Sequence, residues 1–396
     1  MTTTAVEPLS DRDYPRFSDA EFERRYREVR ARMAARDLSH IIICGRGGRD
    51  PNVLYLSDWL STREAWVVFP IAGDPTMLVQ LSNHLPLARR MARFPDVRFG
   101  GSAPTGSVDT VPTLVEVLRE HGVSSGRVGL AGPITWREHA RLAAAFPRVE
   151  WVDFGAELAD QRQVKSAEEL DRLAVSARMC DASAMAIAEQ ARPGLTEHEL
   201  AKIVEDSYLA DGGVNGIHFM IATQMSDPRG GVPCQHQSGR RLRAGDVLVV
   251  ELSTNYAGYS AQVLRSYTIG ADPTPLYATL HDVALEVFDA VRDVIKDGAT
   301  VPDILDAAEI ADRRGFTIYD DLVHGCAQLP AIVRTRQTYR GEPEGFVYKE
   351  GMCVVIQPNV VTADALAGVQ YGEMFQVTRT GLEPLHAVPR EFFRCG

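Results

Sequence analysis

Apolar positions along this chain recur with two periods. Over residues 19–36, Phe22, Tyr26, Val29 and Met33 return at helical spacing and predict an amphipathic helix. HIIICG follows and reads as a buried strand, ending in the glycine-rich loop GRGGRDPN. AWVVFP, PTMLVQL, RVGLAG and VEWVDF read as further strands. Helical segments such as TLVEVLREHG and WREHARLAAAF lie between them. Such alternation predicts an α/β layer that ends near Phe154. The glycine-rich loop carries neither GxxxxGK[ST] nor GxGxxG opening a helix, which argues against a phosphate-binding loop.

The pattern changes in the second half. A long charged helix is predicted over 166–191, stopped by Arg192, Pro193 and Gly194. Thr196 followed by Glu199 is a capping box and starts a second helix. Longer strand-like runs come next: DVLVVEL, YSAQVLRSYTIG, MCVVIQPNVV and EMFQVTRTG. Helical blocks over 279–295 and 301–314 interrupt them. Strands flanking a helical block predict an α+β domain over 156–396, after a smaller α/β domain over 1–155.

Charge narrows the function classes. With 42 basic and 53 acidic residues the net charge is −11, and no basic block appears, so no nucleic-acid partner is expected. No apolar run approaches the ~20 residues a membrane span requires, so no membrane partner is expected either. The polar N-terminus lacks the apolar core of a signal peptide. The six cysteines, Cys44, Cys180, Cys234, Cys326, Cys353 and Cys395, form no CxxC pair, which suits a reducing, cytoplasmic setting.

Six ordered segments of the second half carry a resemblance: RQVKSAEELDRLAVSARMCD, RPGLTEHELA, the hairpin RRLRAGDVLVVELSTNYAGYSAQVLRSYTIG, DLVHGC, EGMCVVIQPNVV and GVQYGEMFQVTRTGLEPLH. Together they resemble the pita-bread family of creatinases, prolidases and X-Pro aminopeptidases. The first half resembles the family's smaller creatinase-like N-terminal domain, with NVLYLSDW matching a strand-turn. The resemblance implies an α+β pita-bread catalytic domain, a small-molecule substrate and a homodimer.

It also implies where ligands belong. The metallopeptidases of the family hold two metal ions with two Asp, one His and two Glu. At those positions this chain carries Glu251, Gln262, His324, Gln357 and Gly372, with Glu373 beside the last. Two divalent cations need bridging carboxylates, and neutral amides replace them poorly. The expectation is therefore a divergent member with no metal and no cofactor. Creatinase, which works without metal through a histidine, places its catalytic histidine nearest His236. Its two substrate-holding glutamates fall on Leu264 and Gln357.

Each candidate has a competing ordinary role. His236 sits in a Pro/Gln/Ser/Gly loop, where a solvated side chain is common, yet an imidazole there can shuttle protons. Glu251 ends an apolar strand, so its carboxyl is expected to be buried with a raised pKa. His324 is expected to line the pocket or act as a second acid/base, and Gln262, Gln357 and Glu373 to contact substrate. Arg63, Arg334 and Arg336 are candidate clamps for a substrate carboxylate. Cys234, two residues before His236, is a weaker nucleophile candidate because no third orienting group is evident. The expected activity is metal-independent cleavage of a C–N bond by histidine acid/base catalysis, with His236, His324 and Glu251 catalytic. Elimination, isomerisation or cyclisation on the same fold, an X-Pro aminopeptidase with altered ligands, and a non-catalytic binding module are the alternatives.

Overall fold

Ser18 caps the first helix by accepting from the Glu21 amide at 3.1 Å, and the apolar stripe that follows buries Phe22, Val29 and Met33. This computed structural model describes residues 14–101, 109–325, 333–338 and 345–396. The first thirteen residues of the polar N-terminal arm and Cys326 lie outside the described residues. The chain divides into two compact units, Met1–Arg162 and Gln163–Gly396.

The first unit runs α1 (Asp19–Ala35), β1 (Leu38–Gly45), α2 (Pro51–Ser57), β2 (Ala65–Pro70), β3 (Thr76–Val79), α3 (Leu85–Met91), β4 (Asp96–Phe99), α4 (Val111–Glu120), β5 (Gly126–Ala131), α5 (Trp136–Ala145), β6 (Val149–Asp153) and α6 (Gly155–Gln163). Its six-stranded sheet has the order β4-β3-β2-β1-β5-β6. β1 is central, and its alternate side chains feed two cores: Ile41 and Ile43 on one face, Ile42 and Cys44 on the other.

Two expectations shift here. NVLYLSDW is helical, as α2, not a strand-turn. Asp50 accepts from the Asn52 and Val53 amides at 3.0 Å each, Pro51 takes the first helical position, and Asp58 ends the turn at φ 61°. The first unit also extends beyond residue 155. α6 belongs to it because Leu158 joins its core and Gln161 donates to Arg25 O at 3.2 Å and to Tyr55 Oη at 3.1 Å.

The second unit contains α7 (Ala167–Gln190), α8 (Glu197–Asp206), β7 (Val214–Gln224), β8 (Asp246–Tyr256), β9 (Tyr259–Ile269), α9 (Pro275–Val294), α10 (Val301–Ala308), α11 (Ile310–Arg313), β10 (Thr317–Ile318), β11 (Val323–His324), β12 (Cys353–Ile356), β13 (Asn359–Val361), β14 (Gly368–Gln370), β15 (Gly372–Val377), β16 (Leu382–Pro384) and β17 (Phe393–Cys395). The main sheet follows β11-β12-β15-β9-β8-β7, with β16 on β15 and β17 on β9. A smaller sheet follows β10-β13-β14.

The capping box at Thr196 forms as expected: the Thr196 amide donates to Glu199 at 2.7 Å and the Glu199 amide to Thr196 Oγ1 at 3.1 Å. β8 and β9 join through Ala257 and Gly258, both at positive φ, which is what a two-residue hairpin requires. MCVVIQPNVV is not one strand. Pro358 has no amide to give to a ladder, so β12 stops at Ile356 and β13 begins in the other sheet. Gln357 is left at that break.

Alternation along β8 decides which side chains meet. Leu248, Val250 and Leu252 pack in one core with α7 and α8, while Val247 and Val249 pack in the other with α9 and α10. Glu251 therefore shares the face of Val249.

Candidate functional site

Register builds the site. Glu251 pairs with Leu264 and Ser253 with Gln262 across β8 and β9, so Gln262 lies diagonal to Glu251 on the same face. Its Nε2 donates to Glu251 Oε1. His324 pairs with Val355 across β11 and β12, and Gln357 lies two residues beyond Val355. The His324 Nε2 meets Gln357 Oε1 at 2.9 Å, and its Nδ1 meets the Gly325 carbonyl at 3.0 Å, so the ring is held at both ends. Glu251, Gln262 and Gln357 are buried, while His324 is partly exposed and marks the open side.

The electrostatics single out Glu251. Burial pushes its carboxyl up to about 8, and Asp320 and Asp321 push in the same direction. The amides of Gln262 and Gln370 partly offset this. Asp320 is itself raised, again chiefly by burial. Asp321 accepts from Arg334 Nε at 2.8 Å, and the Val323–Val333 bridge keeps that arginine's segment beside β11. Sequence reading gave Asp320 and Asp321 no role. It passed over Gln370, whose only signal was a polar residue in an otherwise buried strand.

Other candidates go elsewhere. Glu373 is turned from this face: it pairs with Val263 and accepts from the buried Arg265 at 2.5 Å and from Tyr371 Oη at 2.7 Å. Its expected contact with substrate gives way to an internal ion pair, because a shift of one residue along a strand reverses the face. Arg336 is held by Asp306 and Glu309 at 2.6 and 2.9 Å. Arg63 is exposed in the first unit.

Among the described residues His236 makes no hydrogen bond to Glu251, Gln262, His324 or Gln357. The Met220–Cys234 bridge sets its loop along the edge of β7. There it lines a cavity of about 470 Å³ with Glu197, Ile221, Thr223, Cys234 and Arg243 among the walls. Glu251, Gln262, His324 and Gln357 are not among them. The Cys234 thiol in that cavity is raised by burial and by Glu197, the opposite of what a nucleophilic thiol needs.

Residues 171–379 match metallopeptidase family M24, and residues 25–164 match the creatinase/prolidase N-terminal domain. The chain belongs to metallopeptidase family M24. It is similar to an Xaa-Pro dipeptidase of Pyrococcus furiosus, 22% identical, with 86% of this chain and 92% of that one covered. It is 24% identical to a creatinase of a Bacillus species, with 88% of this chain and 84% of that one covered. Among solved structures, the X-Pro aminopeptidase of Thermotoga maritima superposes with a TM-score of 0.80 at 18% identity, covering 93% and 99% of the two chains. The prolidase of Pyrococcus horikoshii gives 0.76 at 18% identity, covering 93% and 99%. The fold is thus the pita-bread fold.

The metal ions that the family name implies can be tested against the donors present. On the face of Glu251 the chain offers one carboxyl with a raised pKa, two neutral amides and one imidazole already bonded to an amide oxygen. No group of three or more His, Cys, Asp or Glu placed to hold a metal ion occurs among the described residues. Gly372 offers no room for another ligand: a Cβ there would meet Ile356 O and Leu264 Cδ1 at 2.6 Å each. These residues do not fit a pair of hard divalent cations.

Proposed function

We propose that this M24 chain is a metal-independent hydrolase that cleaves a C–N bond in a small, carboxylate-bearing substrate. Glu251 and His324 handle the protons. The observation that carries the reading is the Glu251 carboxyl, buried beside Asp320 and Asp321, which with burial keep it protonated near neutral pH. A neutral carboxylic acid in such a place is a proton donor.

In this reading water adds to the substrate's amide or amidine carbon and gives its proton to His324. Glu251 gives its proton to the departing nitrogen, the C–N bond breaks, and the two groups exchange the proton back through solvent. Gln262 and Gln357 hydrogen-bond the substrate, and His324 exchanges its bond to Gln357 for one to the water. Arg334, oriented by Asp321, meets the substrate carboxylate. His236 takes no part in the chemistry.

The names of the relatives support a second reading, an X-Pro dipeptidase with altered ligands. One experiment separates the two. Metal content is measured on the purified chain, and turnover of X-Pro dipeptides and of small N-acyl and amidino acids is followed with chelator and with manganese or cobalt. Turnover that survives chelation supports the proposal. A strict metal requirement rejects it, and proline-specific turnover then favours the second reading. The homodimer is likewise a proposal, checked by light scattering.

A further inference from the structure

Gln370 is fully buried at the end of β14; its amide lies against the Glu251 carboxyl as a hydrogen-bond donor, and its Oε1 has no partner. Its backbone is satisfied: the Ser266 hydroxyl donates to Gln370 O and accepts from Gln370 N, at 3.0 Å each. The amide's contact with Glu251 favours the ionised form of that carboxyl, against the larger upward push of burial. Asn359, paired with Gln370 across β13 and β14, is also fully buried. It donates to Gly231 O and Val369 O at 3.0 Å each, but its Oδ1 has no partner.

A buried amide without partners costs about 1–3 kcal/mol per unsatisfied group, so a chain that keeps such groups together has something to satisfy them. The unmet valences have a definite composition. Gln370 offers one further N–H donor and a carbonyl oxygen, and Asn359 offers a second carbonyl oxygen. Gln262, Gln357, Gln370 and Asn359 are uncharged, and Glu251 beside them holds its proton. Asp320 and Asp321 are charges that act on Glu251; at Gln370 and Asn359 themselves a cation would trade its hydration for neutral amides. A planar neutral group with a carbonyl flanked by N–H groups would match the donors and acceptors.

We propose that Gln370 and Asn359, behind Glu251, form the floor of a subsite for a urea-type or primary carboxamide group of the substrate. This rests on the reading of the Glu251 face as the reactive site and names the chemistry of the substrate's reacting end.

The test is isothermal titration of the full chain with three probes of one length: N-carbamoylglycine, N-acetylglycine and guanidinoacetate. The carbamoyl compound is expected to bind about tenfold tighter than the acetyl one, the worth of one well-made hydrogen bond to a buried partner, and tighter than the cationic guanidino compound. Gln370→Leu, with folding checked by its melting temperature, is expected to erase the difference between the carbamoyl and acetyl compounds. Equal binding of the carbamoyl and acetyl compounds, tightest binding of guanidinoacetate, or a preference that survives Gln370→Leu would each overturn the proposal. So would binding of none of the three, with a high-resolution structure showing a buried water on Gln370. Should the variant fail to fold, the wild-type series decides alone. Turnover is not read, so metal-dependent catalysis would reject the proposed mechanism and leave the subsite standing. Loss of the preference with metal-free turnover intact rejects the subsite alone.

Discussion

Arg265 donates to Glu373 at 2.5 Å, and both side chains are buried. Arg265 also donates to the carbonyls of Leu264 and Gly372 at 2.9 and 3.1 Å and lies 4.3 Å from the Tyr371 ring centroid. The pair ties β9 to β15. Removing one partner of a buried ion pair leaves the other charge unmet, so Arg265→Met is expected to cost about 3–5 kcal/mol in urea unfolding. Glu373→Gln keeps an acceptor and is expected to cost about 1–3 kcal/mol. A Glu373→Gln variant of unchanged stability but with raised KM would restore Glu373 to the substrate pocket.

Gly372 lies where a larger residue has no space. A Cβ would stand 2.6 Å from Ile356 O and from Leu264 Cδ1 and 2.9 Å from Gln357 Cα. Two of these three neighbours are backbone atoms, which yield less readily than side chains. Gly372→Ala is expected to lose about 1–3 kcal/mol by overpacking. Gly372→Glu is expected to melt earlier still and to gain no manganese affinity in calorimetry. A stable Gly372→Glu protein that binds manganese tightly would show that the cradle survives.

Glu251 gives a pH signature. Its folded pKa, about 8, stands above the ordinary 4.5, so the folded chain binds the extra proton between those values. Stability is then full below about 4.5, falls as pH rises towards 8, and is level beyond it as far as this group is concerned. Glu251→Gln is expected to flatten that window in urea melts at a series of pH values. An unchanged slope in the variant would assign it to other groups.

Two histidines separate the proposed mechanism from the one the sequence favoured. General acid–base groups contribute roughly 10²–10⁴-fold, so His324→Ala is expected to lose at least about 100-fold in kcat. His236→Ala, in its separate cavity, is expected to stay within about twofold, well below that range. The reverse result would return the chemistry to the β7 edge.

Much of this was legible in the residues. Apolar periodicity placed α1, α7 and the β8–β9 hairpin, and the Thr196–Glu199 box marked α8. The capping chemistry of Asp50 and Pro51 was equally present in the sequence but was hidden by a likeness to a strand-turn. At the site, Glu251, Gln262, His324 and Gln357 were all named from the resemblance. That Glu251 would be buried follows from its apolar neighbours in the strand.

Local sequence determined the elements, the caps and the parity of each strand, because those depend on neighbours a few positions away. Tertiary structure alone decided which parities face each other. It sent Glu373 to Arg265, stopped β12 at Ile356 ahead of Pro358 so that Gln357 could reach His324, and left the side-chain oxygens of Gln370 and Asn359 without partners. Those outcomes depend on register between strands that for Glu373 lie more than a hundred residues apart, and a shift of one residue in any of them would have turned the side chain to the other face.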